Sequence, residues 1–369
     1  MDRYLEQIII DDLKKKLVIL VGPRQVGKTW LAKKIMFSYK NPSYLNYDNL
    51  KDKNIILNQS WLPSTDLLIF DELHKMPQWK NYLKGVYDTR PDSLHILLTG
   101  SARLDTFRHQ GDSLLGRFFI HHLLPFCPSE IMDMPLEKFI ERGGFPEPVL
   151  AESSTDAKRW RNQYMEGIIR DDILDFENVH NFKTLKTLLE MLRQRVGSPL
   201  SFKSIAEDLQ VAPNTVKKYI GIFESLFIIF RITPYSKNIA RSLLKEPKIY
   251  FFDTGLVKGD DGLRFENLTA VSLLKHCYTS RDVFGENRTL HYLRTKDGRE
   301  VDFCIVDDDK ISYIVEAKLQ DDQPSKSLHY FKERYQLKAV QLTAFLRNEY
   351  SKDGIEIVKG ERFLRELYS

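Results

Sequence analysis

Residues Gly22 to Thr29 read Gly-Pro-Arg-Gln-Val-Gly-Lys-Thr, a complete phosphate-binding loop signature. Such a loop needs glycines for a tight turn that lets backbone N–H groups surround an anion. Its lysine reaches the β- and γ-phosphates, and its hydroxyl residue binds Mg²⁺. Lys28 and Thr29 supply these two groups. The stretch therefore predicts a site for a nucleoside triphosphate with Mg²⁺.

A pair of acids follows a second apolar run, Leu67 to Phe70. Asp71 can hold the Mg²⁺ that bridges the phosphates, and Glu72 can orient and polarise the attacking water. Taken alone, two acids after a strand are also a common way to begin a helix. A third apolar run ends at Thr99, which could sense the γ-phosphate from between the two motif strands.

Carboxylates also cluster by pattern near the C-terminus. Glu316 and Lys318 are two residues apart on a predicted strand, so they face the same side. An Asp-rich turn joins this strand to the preceding one, and that hairpin would bring Asp302 close to Glu316. Two carboxylates and a lysine can hold Mg²⁺ and stabilise a phosphorane-like charge. A surface ion pair is the simpler interpretation of the same residues.

The phosphate loop requires an α/β domain, and apolar strands alternating with helices predict one over residues 1–150. A turn-rich stretch, residues 143–148, marks its end. The predicted strands are Leu17–Val21, Tyr44–Tyr47, Leu67–Phe70 and Ile96–Leu98. The predicted nucleotide contacts are Gly22, Pro23, Arg24, Gln25, Val26, Gly27, Lys28, Thr29, Trp30, Asp71 and Thr99.

Residues 151–236 have a helical pattern. Ser201 suits the start of one helix and Pro213 the first turn of the next, and a strand follows, which outlines a winged helix-turn-helix. The second helix has one apolar face, formed by Val216, Tyr219, Ile220, Phe223 and Leu226. Its opposite face carries Asn214, Lys217 and Lys218, which either contact DNA or belong to a lid or clamp.

Bulk properties describe a chain of 369 residues with a net charge of +4. Between Met191 and Tyr250 there are ten Lys or Arg against four Asp or Glu, a weak indication of phosphate backbones as partners. No apolar stretch reaches the roughly 18 residues of a membrane span. Three widely separated cysteines indicate neither a disulfide framework nor a zinc site. We expect a cytoplasmic protein.

The first 150 residues resemble the AAA-type ATPases of the P-loop class. The shared features are the phosphate loop, Asp71-Glu72-Leu73-His74-Lys75, the Thr-Gly-Ser strand end at Thr99 and Leu114-Leu115-Gly116-Arg117. In such proteins an arginine neutralises charge on the transferring phosphoryl group. The resemblance makes Arg117 the first candidate for this finger and Arg103 the second, in the chain's own site or in a neighbour's. A homo-oligomer is one of the states that the sequence leaves open.

The region from Gly262 to Thr343 resembles the restriction-endonuclease fold of the PD-(D/E)xK superfamily. The shared features are the order helix, three strands, helix, strand and the residues Glu266, Asp302, Glu316 and Lys318. Val301 replaces the proline that the motif usually has before Asp302. The resemblance implies a nuclease-like domain over residues 237–369, with Glu266, Asp302 and Glu316 as metal ligands and Asp302, Glu316 and Lys318 as catalytic groups.

The sequence thus predicts a P-loop parallel-sheet domain, a helical and winged-helix domain and a nuclease-like α/β domain. The first functional hypothesis is Mg²⁺-dependent ATP hydrolysis coupled to nucleic-acid binding or processing. The alternative is a nucleotide-operated switch whose nuclease-like domain is inert and binds DNA or a protein partner.

Overall fold

The structure is a computed structural model that describes residues 3–100, 114–168, 170, 181–236 and 246–367. It divides into two compact units, Met1–Leu124 and Pro125–Ser369. Ser101 and Arg103, the second candidate for an arginine finger, lie outside the described residues. Residues 125–369 form one compact unit, so the division of the chain into three domains stays a prediction.

The N-terminal unit alternates strands and helices, as the sequence predicts. Its strands are β1 (Leu17–Val21), β2 (Pro42–Asn46), β3 (Leu67–Asp71), β4 (His95–Thr99) and β5 (Phe118–His122). Its helices are α1 (Leu5–Leu13), α2 (Lys28–Ile35), α3 (Leu50–Asn58) and α4 (Trp79–Thr89). All the strand pairs described are parallel, in the order β2-β3-β4-β1-β5.

The two strands that carry the nucleotide motifs, β1 and β3, are part of the buried core of this unit. Every residue of β1 and of β3 is buried, because uninterrupted apolar runs suit a sheet covered on both faces. β4 lies between them, paired with both. Parallel register brings the carboxyl ends of the three strands to one edge of the sheet, where ligands bind in open α/β sheets.

A close backbone approach fixes the beginning of the phosphate loop. Gly22 has a φ of +152°, and a Cβ built there would lie 2.1 Å from the carbonyl oxygen of Leu123. Leu123 in turn donates its N–H to the carbonyl of Val21, which continues the β1–β5 ladder past the strand ends. The loop can therefore turn at this point only with a residue that lacks a side chain.

The first half of the C-terminal unit is helical. Its helices are α5 (Leu136–Arg142), α6 (Pro146–Leu150), α7 (Ser154–Gly167), α8 (Phe182–Arg193), α9 (Phe202–Asp208) and α10 (Pro213–Ser225). The stretch at 143–148, predicted as a domain boundary, lies inside this unit, where Gly143 ends α5 and Pro146 begins α6. Turn residues are needed as much between packed helices as between domains.

The second half carries two sheets. β6 (Ile229–Ile232) and β7 (Lys248–Phe251) form an antiparallel pair. The larger sheet has the order β12-β13-β11-β10-β9-β8. Its strands are β8 (Arg288–Arg294), β9 (Glu300–Asp307), β10 (Lys310–Lys318), β11 (Lys338–Thr343), β12 (Tyr350–Lys352) and β13 (Ile355–Lys359). The accompanying helices are α11 (Asp261–Phe284), α12 (Lys326–Tyr335) and α13 (Gly360–Glu366).

Two properties of the sequence can be compared directly with the fold. None of the helices among the described residues combines the length and apolar character that crossing a bilayer demands. Cys127, Cys277 and Cys304 are buried and unbridged, which agrees with the prediction that the chain has no disulfide framework.

We predict that Gly22→Ala destabilises the N-terminal unit by about 1–3 kcal/mol, because the new methyl group would collide with the Leu123 carbonyl. Gly85→Ala is the matched control, since a Cβ at that position in α4 meets nothing within 4 Å. The control should raise stability by about 0.5–1 kcal/mol through its better helix propensity. Urea denaturation of both variants measures the difference, and equal effects would contradict the proposed close approach.

Candidate functional site

The phosphate loop connects the end of β1 to the start of α2. Gly27 precedes α2 in the left-handed region, with a φ of 99°, so a glycine is favoured there. The Lys28 side chain is buried, and its Nζ donates hydrogen bonds to the carbonyl oxygens of Gly22 (2.9 Å) and Pro23 (2.6 Å). The lysine is thus folded back over the loop that its sequence signature assigns to phosphates.

Asp71 is the centre of a hydrogen-bond network at the carboxyl edge of the sheet. Its Oδ2 accepts from the Thr29 hydroxyl at 3.1 Å, and its Oδ1 accepts from the Thr99 hydroxyl at 2.7 Å. The Tyr44 hydroxyl also donates to Oδ2. The side chains that the sequence assigns to Mg²⁺ and to γ-phosphate sensing therefore meet at one carboxylate. An oxygen-rich group of this kind suits Mg²⁺, which is held by one or two carboxylates together with phosphates.

Glu72 follows Asp71 with a left-handed backbone, at a φ of 58°. Its Oε2 is buried and accepts no hydrogen bond from the described residues, although His74 Nε2 and Lys75 Nζ lie 3.6 and 3.5 Å away. Burial raises the pKa of the Glu72 carboxyl, and Lys75 opposes this shift. A buried carboxylate oxygen without a donor is suited to hold a water molecule, which is the role that the sequence predicts.

The other predicted nucleotide contacts lie around the loop between β1 and α2. Val26 is buried, whereas Arg24 is half-buried and Gln25 is exposed with a φ of 59°. The Trp30 side chain is 47% exposed at the first turn of α2, with the Lys34 ammonium 5.5 Å from its ring centroid. Contacts between these side chains and a nucleotide stay predictions.

Arg117, the first candidate for an arginine finger, lies at the edge of the sheet opposite to the phosphate loop. Arg117 immediately precedes β5, and the parallel register pairs Phe118 with Leu17 at the start of β1. It therefore lies at the amino edge of the sheet, whereas the phosphate loop follows the carboxyl edge. The guanidinium forms two hydrogen bonds with Asp88, at 2.7 and 3.0 Å. A strand of five residues, about 17 Å long, separates the two edges.

Two helices and a strand occupy the segment predicted as a winged helix-turn-helix, whose assignment stays a prediction. The Ser201 hydroxyl caps α9, Pro213 lies in the first turn of α10, and β6 follows. The apolar face of α10 is buried, and Asn214, Lys217 and Lys218 are exposed. Pairing of β6 with β7 provides a two-stranded antiparallel element after the helices.

The predicted C-terminal residues come together in the second unit. Lys318 Nζ lies 2.9 Å from Glu316 Oε1, so the two side chains share a face as expected. Asp302 on β9 accepts the backbone N–H of Ala317 at 3.1 Å, which places it beside Glu316. The Ser325 hydroxyl, which caps α12, donates to Glu316 Oε2 at 2.6 Å.

A lysine that the sequence analysis did not select lies among these carboxylates. Lys248 on β7 is 1% exposed, and its Nζ is 2.7 Å from Glu300 Oε1 and 3.5 Å from Asp302 Oδ1. Glu266 on α11 is 3.9 Å from the same ammonium and accepts a hydrogen bond from the Tyr250 hydroxyl. Throughout the described ranges, no three His, Cys, Asp or Glu side chains are placed to hold a metal ion. In this arrangement the Lys248 ammonium lies among three carboxylates, and metal binding by Glu266, Asp302 and Glu316 stays a prediction.

The side chains of this cluster change one another's pKa values. Burial, followed by the negative charge of Asp302, raises the pKa of Glu266 to about 7. Burial and Asp302 also raise the pKa of Glu316. Burial by itself would lower the pKa of Lys248, but the surrounding carboxylates raise it overall. The ammonium therefore stays charged and stabilises the partly buried carboxylates around it.

Tyr44, Lys248 and Ser325 were not predicted as site residues. They lie on strands or at a helix cap whose sequence patterns are common. Tyr44 is one of the residues of strand β2. Ser325 caps a helix, and serine is common at such positions. Lys248 is the first residue of β7, which reads Lys-Ile-Tyr-Phe. A basic residue at the start of an otherwise apolar strand is the one sequence feature that could have indicated its role. Its burial among acids depends on contacts far apart in the chain.

Three family models match consecutive parts of the chain. An AAA domain matches residues 14–132. Residues 134–263 match a domain of unknown function, DUF8612, and residues 261–360 match another domain of unknown function, DUF4143.

Relatives and solved structures add distant similarity. An uncharacterized protein of Mycobacterium tuberculosis is 25% identical over 302 residues, which cover 78% of this chain and 67% of the relative. An uncharacterized protein of Methanocaldococcus jannaschii is 25% identical over 337 residues, covering 81% and 74%. The Walker-type ATPase of Pyrococcus abyssi is 14% identical with a TM-score of 0.46, covering 71% of this chain and 95% of that one. Residues 14–132, which contain the phosphate loop and the acid pair, are thus similar to an AAA domain.

Proposed function

We propose that the chain binds and hydrolyses ATP with Mg²⁺ at the carboxyl edge of the N-terminal sheet. The observation that carries this proposal is the network in which the Thr29 and Thr99 hydroxyls both donate to Asp71. This network joins the phosphate loop, the acid strand and the sensor strand. The match of residues 14–132 to the AAA domain supports the same function.

Each residue has a distinct part in the proposed reaction. Lys28 exchanges its two loop carbonyls for phosphate oxygens and neutralises their charge. Bound Mg²⁺ supplies further charge neutralisation, and the Thr29 hydroxyl and Asp71 carboxylate would hold it. Glu72 orients the attacking water through its buried Oε2, which accepts no hydrogen bond from the described residues, and Thr99 fixes the Asp71 carboxylate. Arg117 retains one role compatible with its place at the far sheet edge, as a finger for a neighbouring copy.

The C-terminal unit is the part that would couple ATP turnover to a partner. The exposed Asn214, Lys217 and Lys218 support DNA binding by the helix-turn-helix segment. Because Lys248 compensates the carboxylate cluster, we favour a nuclease-like domain that binds without cleaving. Metal-dependent DNA cleavage by the wild-type protein that is lost in Glu316→Ala and Lys318→Ala would overturn this preference.

For the ATPase, we predict that Lys28→Ala abolishes ATP binding because the phosphates lose their ammonium partner. Glu72→Gln should keep ATP binding and reduce the hydrolysis rate by a factor of about 10² or more, because the amide cannot accept a proton from water. Since burial raises the pKa of Glu72, the wild-type hydrolysis rate should fall as the pH is lowered. This fall should begin at a higher pH than an ordinary glutamate would give. Fluorescent-nucleotide binding and phosphate release measure both steps, with the exposed Lys84→Ala as control. Full activity of Glu72→Gln would contradict the assigned role.

For the DNA interface, we predict that Lys217→Glu with Lys218→Glu weakens duplex binding and flattens its salt dependence. Each phosphate contact removed should lower the slope of log affinity against log salt by about 1. Lys203→Glu is the control, because its side chain is 82% exposed on the neighbouring helix α9. Fluorescence anisotropy at several salt concentrations gives the slopes. An equal loss in the control would show a general charge effect instead.

For the carboxylate cluster, we predict that Lys248→Met destabilises the C-terminal unit by about 3–5 kcal/mol, because buried acids lose their cation. Lys338→Met, at an exposed position at the start of β11, should change stability by less than about 0.5 kcal/mol. Urea denaturation followed by circular dichroism compares the two. A loss in Lys248→Met no larger than in the control would show that the ammonium does not compensate the cluster.

A further inference from the structure

A cavity of about 360 Å³ within the C-terminal unit is lined mainly by basic side chains. It lies between the end of α5, the face of α7, the end of α8 and the start of α11. Small-molecule sites usually occupy roughly 300–1,000 Å³, so the volume admits a compact ligand. The basic residues that line it among the described part of the chain are Arg142, Lys158, Arg161, Arg193, Lys258 and Arg264.

Acidic residues compensate these cations only in part. Glu190 pairs with both Arg193 and Lys258, and Asp253 pairs with Arg161 at 3.0 Å. Arg142 and Arg264 have one acid each, Glu141 at 3.7 Å and Asp261 at 3.2 Å. Six basic side chains thus meet four acids within the described residues, which leaves two positive charges in excess.

Two of the guanidinium groups that line the cavity have a buried Nε that makes no hydrogen bond to the described residues. The Arg142 side chain is buried, at 8% exposure, and its Nε donates no hydrogen bond to the described residues. The Arg264 Nε is likewise buried and makes no hydrogen bond there. A buried N–H without a hydrogen bond is costly, so the surroundings of both guanidinium groups satisfy them only in part.

At one point of the cavity wall, Gly255 leaves room for the guanidinium group of Arg161. Arg161 is buried and lies against Gly255 so closely that a Cβ there would be 1.9 Å from its Nη2. The same side chain donates to Asp253 Oδ2 and to the carbonyl of Arg142, both at 3.0 Å. These bonds hold Arg161 in one orientation and tie it to the backbone of the neighbouring Arg142. Arg142 and Arg161 are therefore fixed by packing rather than solvated on a surface.

We propose that this cavity is a binding site for a small dianion that carries a phosphate group. Two excess positive charges match the charge of a phosphate monoester, and guanidinium groups suit its oxygens through paired hydrogen bonds. All the lining residues belong to the C-terminal unit. The site is thus separate in composition from the phosphate loop and goes beyond ATP hydrolysis.

The test uses the full-length Lys28→Ala chain, so that the phosphate loop does not contribute to binding. Isothermal titration with inorganic phosphate should show one site, and Arg264→Gln in the same background should weaken it about tenfold or more. Lys158→Gln is a second variant, because this exposed side chain is removed without disturbing the fold. Lys203→Gln, with 82% of its side chain exposed, removes the same charge from outside the cavity as a control.

Adenosine monophosphate and a short oligonucleotide form the other two arms. Tighter binding of the monophosphate than of inorganic phosphate would identify a phosphorylated small molecule as the ligand class. Absence of phosphate binding at millimolar concentration would contradict the proposal, as would equal affinities in Arg264→Gln, Lys158→Gln and the control. Binding of the oligonucleotide alone would also contradict it, in favour of a nucleic-acid surface. These results do not depend on whether the N-terminal unit hydrolyses ATP.

Discussion

The parallel register of β1, β3 and β4 is the constraint on which the N-terminal site depends. Because the strands run in one direction, the residues that follow them meet at one edge, and three separate sequence motifs become one network. Asp71 is the residue they share, since hydroxyls from the phosphate loop and from the sensor strand both donate to it. The same register carries Arg117 to the opposite edge, so one geometric rule both assembles the site and excludes a residue from it.

Electrostatic compensation has the corresponding role in the C-terminal unit. The Lys248 ammonium contacts carboxylates from both α11 and β9. Glu316 is satisfied separately, by Lys318 and by the cap of α12. The basic cavity has the reverse balance, since its cations exceed the acids around them. The unit therefore contains one cluster in which a buried cation lies among carboxylates and one in which basic side chains outnumber the acids paired with them.

Local patterns were enough to predict the strand-turn-helix of the phosphate loop, the acid strand and the β9–β10 hairpin. Each depends on residues close together in the sequence, where periodicity and turn chemistry determine the structure. The place of Arg117 depends on the register of β5, which no local pattern encodes. Lys248 and Glu266 meet across two elements, and the residues at 143–148 form a turn whose composition is the same inside a unit as at its edge. Long-range contacts therefore account for most of what the sequence did not reveal.

The burial of Lys248 has a consequence for how this part of the molecule responds to its surroundings. A covalently attached cation cannot dissociate, be chelated or be exchanged for another ion. The Lys248 ammonium therefore remains beside the carboxylates of β9 and α11 whatever metal ions the solution contains.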